Sequence, residues 1–393
     1  MLDSSDGLNK LYSLPGFFSY LLISKEEKTA LGSRDIFGKK PLYYSIDDNL
    51  AIFSSEEKAI LPFISSRNIN QESLKEYFLY KDVFFGKSFY KGINEIPPGS
   101  NFLFDEKKWA MTISKSWDNY YDCDFSENFP NTYKEQNAEE RKNNWLKKEI
   151  NNAVARRLTS DVPVQIGLSG GLDSTLITAL AADSNFSHVI NRAINVSFTQ
   201  GVDESEDART TSKSLGINFT KVDFKTDYFI ELMKTSVKNF DGPLSHPHSL
   251  AVYEICREAG NSGKVLITGE GADELFYGYD HYIKFNNNSF AFREYLTAYE
   301  ERLYYHDRSD SNRPFDDLRK NYIKNLRKKA IQSAYQSRDL EIKTHLLSLL
   351  KRNDRMGMAN SIEIRCPYLD HNLFQYMYSQ DQSDLASNRK SYL

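Results

Sequence analysis

Nothing in the 393 residues stays apolar for the run of about 18 that a membrane-spanning helix needs. No N-terminal stretch has the charged-then-apolar build of a secretory signal. A surplus of one charge is missing too. Lys and Arg number 50 against 54 Asp and Glu, leaving a formal net charge of −4 and no global attraction to nucleic acid or an anionic membrane. Cysteine is scarce, with only Cys123, Cys256 and Cys366. They are odd in number and far apart, which excludes a disulfide framework and the close spacing of a cysteine metal site. A reducing compartment follows, and the cytoplasm is the expected location. No internal repeat or low-complexity tract occurs, and neither does the common nucleotide loop GxxxxGK(S/T). What is plentiful is aromatic: 25 Tyr and 25 Phe argue for packed cores rather than disorder. The length alone suggests two domains or more.

The first third reads as strands. GFFSYLLI (16–23), TALGSRD (29–35), PLYYSI (41–46) and LAIFSS (50–55) are short β-rich runs, and KSFYKGI (87–93) and NFLFDE (101–106) continue the pattern after a helix near 71–80. Residues 1–118 are expected to form a small α+β unit, and the polar stretch 119–137 a linker. From 138 the pattern changes. Trp145, Leu146, Ile150, Ala153, Val154 and Leu158 recur at helical spacing. PVQIGL (163–168), INVSF (194–198), NFTKVDF (218–224) and KVLITG (264–269) then alternate with helical runs at 175–182, 207–216 and 250–260. That alternation predicts a doubly wound parallel sheet with helices on both faces over 138–393. The chain reads as mostly helical from about 280.

The stretch Ile166–Thr175, IGLSGGLDST, joins a buried strand to a helix. Gly170 and Gly171 would let a phosphate approach the main chain at a helix start, and Ser169, Ser174 and Thr175 add donors. Asp173 would repel that phosphate unless a cation lies between them. Mg²⁺, which takes carboxylate and phosphate oxygens together, resolves the conflict and makes Asp173 a candidate metal ligand. The alternative is a plain strand–helix turn in which Asp173 caps the helix. TGEGADELFYGY (268–279) follows the fourth strand and puts Glu270, Asp273 and Glu274 at the ligand edge of a doubly wound sheet. Asp273 then becomes a second candidate metal ligand, and Glu270 is left for proton transfer or for ordering a cation. A solvated acidic loop is the competing account. DRMGMANSIEIRCPYLDH (354–371) reads as a buried helix with a proline-stopped turn and internal ion pairs. His246 and His248 read as part of a substrate-side loop rather than a metal pair. The tyrosine-rich run 289–305 reads as packing, and Cys256 and Cys366 as buried thiols.

Taken together, these stretches resemble the glutamine-hydrolysing asparagine synthetase family. SGGLDS (169–174), VSF with DESEDAR (196–209), GEGADELF (269–276) and the 354–371 stretch carry the likeness, in the family's order. SRDIFGKKPLYY (33–44), SSEEKAIL (54–61) and IPPGS (96–100) look like the back half of its glutaminase domain, of N-terminal-nucleophile type. The resemblance implies an ATP-pyrophosphatase domain and a reaction of aspartate, ATP and ammonia through an acyl-adenylate, giving asparagine, AMP and pyrophosphate. It implies ATP contacts at Leu168, Ser169, Gly170, Gly171, Asp173, Ser174, Val196, Thr268 and Gly269. Asp173 and Asp273 would hold Mg²⁺, Glu270 would be an acid/base, and Lys390 of NRKSYL a catalytic cation. Asp35 matches a glutamine-binding aspartate. A homodimer, or a complementing glutaminase chain, is the implied assembly, with no nucleic-acid or membrane partner.

Two departures shape the expectation. The family's glutaminase uses an N-terminal cysteine, whereas this sequence opens MLDSSDG and has no cysteine before Cys123. It also stops three residues after Lys390. A fragment or truncated gene product, clipped at both ends and without glutaminase activity of its own, is the expectation, with Asp35 left as a structural loop residue. A naturally short paralogue is the alternative. Two other functions compete: a related carboxylate-activating cyclase of the β-lactam-synthetase or lasso-peptide type, and an inactive binding subunit. The sequence leaves open the acceptor carboxylate and the nitrogen source.

Overall fold

The computed structural model describes residues 14–80, 82–83, 86–115, 138–198, 203–244, 246, 248–279 and 341–379. The expected linker over 119–137 and the tyrosine-rich run over 289–305 lie outside them. The chain divides into two compact units, one of residues 1–123 with 284–351 and one of 124–283 with 352–393.

The first unit contains β1 (Ser19–Ser24), β2 (Thr29–Arg34), β3 (Tyr43–Ile46), β4 (Ala51–Ser54), α1 (Glu57–Ile60), α2 (Gln71–Tyr80), β5 (Asn94–Glu95), β6 (Ser100–Asp105) and β7 (Ala110–Lys115). They form two antiparallel sheets, ordered β1-β2-β6-β7 and β4-β3-β5. Leu21, Gly32, Phe102 and Ile113 stand in one row across the larger sheet. Gly32 leaves room there for the Phe102 ring, because a β-carbon would collide with it. Phe102 in turn stacks on Phe53 of the smaller sheet with centroids 5.1 Å apart, so the two sheets share one core with Leu42 and Ile96. The strand expected over 87–93 is reduced to isolated bridges, Lys87 to Asn94 and Ile69 to Tyr90. Phe89 there packs into a cluster with Tyr77 and Val83 instead of lining a sheet face.

The second unit opens with α3 (Ala138–Leu158), whose Leu146, Ile150, Ala153, Val154 and Leu158 are buried at helical spacing. Then follow β8 (Val164–Gly167), α4 (Leu172–Ala182), β9 (Ile190–Ser197), α5 (Ser205–Ser214), β10 (Phe219–Asp223), α6 (Phe229–Phe240), α7 (Ser249–Gly260), β11 (Val265–Ile267) and α8 (Ala272–Phe276). The helix α9 (Leu347–Met358), which belongs to this unit from Arg352 onward, β12 (Glu363–Arg365) and α10 (His371–Ser379) follow. The sheet is parallel throughout, in the order β10-β9-β8-β11-β12. Ala193 packs with Leu168 and with Ala208 of α5, while Val196 packs with Leu232 of α6 and Leu250 of α7. Those two β9 residues are three apart and so face opposite sides, which puts helices on both faces as expected. From β8 the chain adds β9 and β10 on one side, then returns to place β11 on the other. The switch point of this doubly wound sheet therefore lies between β8 and β11.

The 354–371 stretch differs from its sequence reading. Its helix stops at Met358, and Glu363–Arg365 then joins the sheet as edge strand β12 before a 3₁₀ turn over Pro367–Leu369. Glu363 and Arg365 form an internal ion pair at 2.8 Å, as read, but other charged residues reach beyond the stretch. Asp370 takes a forked contact from Arg156 of α3, with Nε and Nη2 donating at 2.8 and 2.7 Å.

Candidate active site

The carboxyl ends of β8 and β11 carry the two motifs. After β8 the chain makes the SGGLDS loop and enters α4, whose N-cap is Gly171 with no side-chain cap. Asp173 therefore sits inside the first turn and does not cap it. Inside the loop the Ser169 N–H donates to Ser174 Oγ at 3.1 Å, the two hydroxyls are 3.0 Å apart, and the Gly171 N–H donates to Ser169 Oγ at 3.2 Å. The serines thus fix the loop. Gly170 has φ +90°, and a β-carbon there would lie 2.8 Å from the Glu204 carbonyl oxygen. Its backbone shape and the loop before α5 both require glycine.

After β11, the Thr268 N–H donates to the Arg365 carbonyl at 3.0 Å, continuing the ladder toward β12. Gly269 then passes against the first motif: a β-carbon on it would be 3.5 Å from Asp173 Cβ and 3.3 Å from the Ser174 nitrogen. Gly271, at φ +94°, turns the chain into α8 beneath Leu369. The Tyr368 hydroxyl donates to the Asp173 carbonyl oxygen at 3.0 Å, bracing the α4 start from the turn before α10.

A cavity of about 390 Å³ opens where the motifs meet. Leu168, Ser169, Asp173, Ser174, Val196, Thr268, Gly269, Glu270 and Asp273 line it, whereas Gly170 and Gly171 do not. Its walls also carry Phe198, His248, Arg352 and Asn353, of which only His248 was read from sequence as part of a site loop. Arg352 and Asn353 lie just ahead of the 354–371 stretch, where they look like any polar pair on a helix. Arg352 Nη2 donates to Glu270 Oε1 at 2.5 Å. Lys390 lies outside the described residues.

Asp173 and Asp273 line one cavity from two strand ends, and their charges, after burial, both push the Tyr368 hydroxyl upward. Two carboxylates with room for phosphate oxygens fit Mg²⁺, which takes one or two protein carboxylates and leaves the rest to water and phosphate. Among the described residues no cluster of three or more His, Cys, Asp or Glu forms a closed metal cage.

Glu274 is buried beside them and accepts the Tyr279 hydroxyl at 2.8 Å. Burial first, then the Glu270 charge, push its carboxyl from 4.5 up to about 8. The folded chain thus keeps a proton that the unfolded chain has released. The resulting stabilisation is complete below about pH 4.5 and is lost as pH rises to about 8. Glu274→Gln is expected to flatten the fall in Tm of Mg²⁺-free protein between about pH 5 and pH 8. Thermal unfolding across that range checks it, and an unchanged slope would refute it.

In the first unit, Asp35 is 1% exposed. Its carboxylate accepts the N–H groups of Phe37, Lys39 and Lys40 at 3.1, 3.1 and 3.0 Å. Arg34 donates to the carbonyls of Lys40 and Gly38 from the same loop at 2.8 and 2.7 Å. The structure uses Asp35 to shape the SRDIFGKK loop. Cys256 and Cys366 are buried thiols, as read from the sequence.

A parallel sheet whose switch point carries a glycine loop, an acidic loop and a shared cavity defines a doubly wound α/β domain with its candidate ligand site at the carboxyl ends of the strands. The chain belongs to the asparagine synthase family: the model of that family matches residues 146–391, and that of the glutamine amidotransferase domain matches 4–117. It is similar to glutamine-hydrolyzing asparagine synthetase 1 of Bacillus subtilis strain 168, with 29% identity covering 92% of this chain and 61% of that protein. It is similar also to synthetase 3 of the same organism, at 27% identity over 93% of this chain and 61% of the relative. The amidase chyE of Penicillium rubens is 24% identical over 94% of this chain and 64% of its own length. The chain thus spans just over three-fifths of the length of these curated relatives. No helix of the described residues is long and apolar enough to cross a membrane.

Proposed function

We propose that this chain activates a carboxylate with ATP and converts it to an amide, with aspartate as acceptor and ammonia as nitrogen donor. The observation that carries the reading is the convergence of Asp173, Asp273 and Glu270 on one cavity at the sheet's switch point. A carboxylate oxygen attacks the α-phosphorus of ATP, the bond from that phosphorus to the bridging oxygen breaks, and pyrophosphate leaves. Ammonia then attacks the acyl carbon, the carbon–oxygen bond to AMP breaks, and one N–H proton is lost. Glu270 is the group proposed to take that proton. The main chain around Ser169–Ser174, at the start of α4, is proposed to hold the phosphates. Leu168, Val196 and Thr268, with Gly269, would bound the nucleoside. Mg²⁺ held by Asp173 and Asp273 would supply neutralisation of the developing pyrophosphate charge. Lys390 is proposed to add a cation at the activated carboxylate.

The proposed organisation is a glutaminase-like part over 1–118 and a synthetase part over 138–393, working in the cytoplasm as a homodimer or with a complementing glutaminase chain. The test is product analysis with Mg-ATP and aspartate, comparing ammonium with glutamine as donor. AMP and pyrophosphate are expected in step with asparagine when ammonium is supplied, and glutamine is expected to serve poorly. ADP with inorganic phosphate would exclude the reading, and pyrophosphate without asparagine would point to a different acceptor.

A further inference from the structure

Arg352 and Asn353 are neighbours on α9, 6% and 1% exposed, and both line the cavity. The Asn353 Oδ1 accepts from Arg352 Nε and Nη2, at 3.1 and 3.0 Å. One acceptor gripping two N–H groups of a planar guanidinium fixes the plane of that group. The second Nη2 hydrogen is then directed at Glu270 Oε1, which it reaches at 2.5 Å. Glu270 Oε2 takes no hydrogen bond among the described residues, and the Glu270 side chain is still 25% exposed. One carboxylate oxygen is held and the other is open.

The asparagine also carries a cost. Its Nδ2 is buried without a hydrogen bond among the described residues. A residue kept only for packing would do better apolar, since a buried unmatched donor destabilises the fold. The pair therefore reads as an aiming device rather than as filling.

We propose that Arg352, clamped by Asn353, is the positioning residue for Glu270. It pins Oε1 so that Oε2 meets the nitrogen attacking the acyl-adenylate and receives its proton as AMP leaves. This rests on the reading of Glu270 given above. It makes two demands that a simple tie between α9 and the 268–271 loop does not. The effect must fall on amide formation and spare adenylation. Asn353 must also act only through Arg352.

The experiment compares the parent chain with Arg352→Met, Arg352→Lys, Asn353→Ala and the Arg352→Met/Asn353→Ala double variant. Two rates are read: aspartate-dependent exchange of pyrophosphate into ATP, and asparagine formed from ammonium. Arg352→Met is expected to lose about 10²–10³-fold in amide formation, with exchange within about threefold of the parent. Arg352→Lys, which keeps the charge but not the fork, should lose about tenfold or more. Asn353→Ala should lose about tenfold, and the double variant should be no slower than Arg352→Met alone. Exchange falling in parallel with amide formation would overturn the proposal, as would a double variant carrying the product of both losses. A parent chain that forms no pyrophosphate would remove the synthetase reading and this inference with it. An active parent with unaffected variants would remove this inference alone.

Discussion

Asp173→Asn is expected to lower pyrophosphate release by about 10²–10³-fold, while the fold holds. The charge of this residue and its shape make separate contributions. Asp173 lies in the first turn of α4, and its carbonyl oxygen is held by the Tyr368 hydroxyl. Asparagine keeps that backbone contact and nearly the same volume. What it loses is the negative charge, which the helix start favours by only about 0.3–1 kcal/mol. Without a cation that gain is opposed by Asp273, which lines the same cavity. Mg²⁺-free Tm should therefore barely move. With Mg-ATP present the outcomes diverge: the parent should gain Tm by ligand linkage and the variant should gain little, and chelating Mg²⁺ should remove the parent's gain. Calorimetry in the two buffers, paired with a pyrophosphate assay, reads both. A variant that releases pyrophosphate at the parental rate and parental Mg²⁺ would show that Asp173 holds no catalytic metal.

Much of the second unit was legible because its strands are buried on both faces and appear as short apolar runs between helices. PVQIGL, INVSF and KVLITG became β8, β9 and β11 with shifts of a few residues at their ends. The motif positions followed, because a doubly wound sheet presents the carboxyl ends of its strands at one edge. β12 was not legible. Three residues show no periodicity, and Glu363–Arg365 becomes a strand only through pairing with β11, about a hundred positions earlier. Arg352 and Asn353 were missed for a related reason. Neither stands in a motif, and α9 brings them to Glu270 only in the folded chain. At Gly170 the fold adds a demand that the sequence did not show: φ +90° and the nearby Glu204 carbonyl also require glycine there. In the first unit β7 went unread although Met111 and Ile113 alternate with polar neighbours, a signal that six residues carry weakly.

The largest stability loss is expected from Asp241→Asn. Asp241 ends α6 at φ +64°, a left-handed position that aspartate and asparagine both tolerate, so the exchange adds no backbone strain. Its carboxylate faces Arg355 at 3.4 Å, and the two side chains are only 3% and 2% exposed. Neutralising one member removes this counter-charge from a desolvated guanidinium, which costs about 3–5 kcal/mol in buried pairs. Tm should fall by roughly 10 °C. Glu106→Gln provides the contrast. It breaks an ion pair with Lys28 at 3.3 Å whose members are 49% and 55% exposed, and it should cost within about 0.5 kcal/mol. The double variant Asp241→Asn/Arg355→Met should recover part of the loss, because it no longer buries a charge that has lost this counter-charge. Denaturant unfolding of the four proteins orders these effects. If Asp241→Asn cost no more than Glu106→Gln, the Arg355 charge would have to be balanced elsewhere, and the tie between the end of α6 and α9 would not depend on this pair.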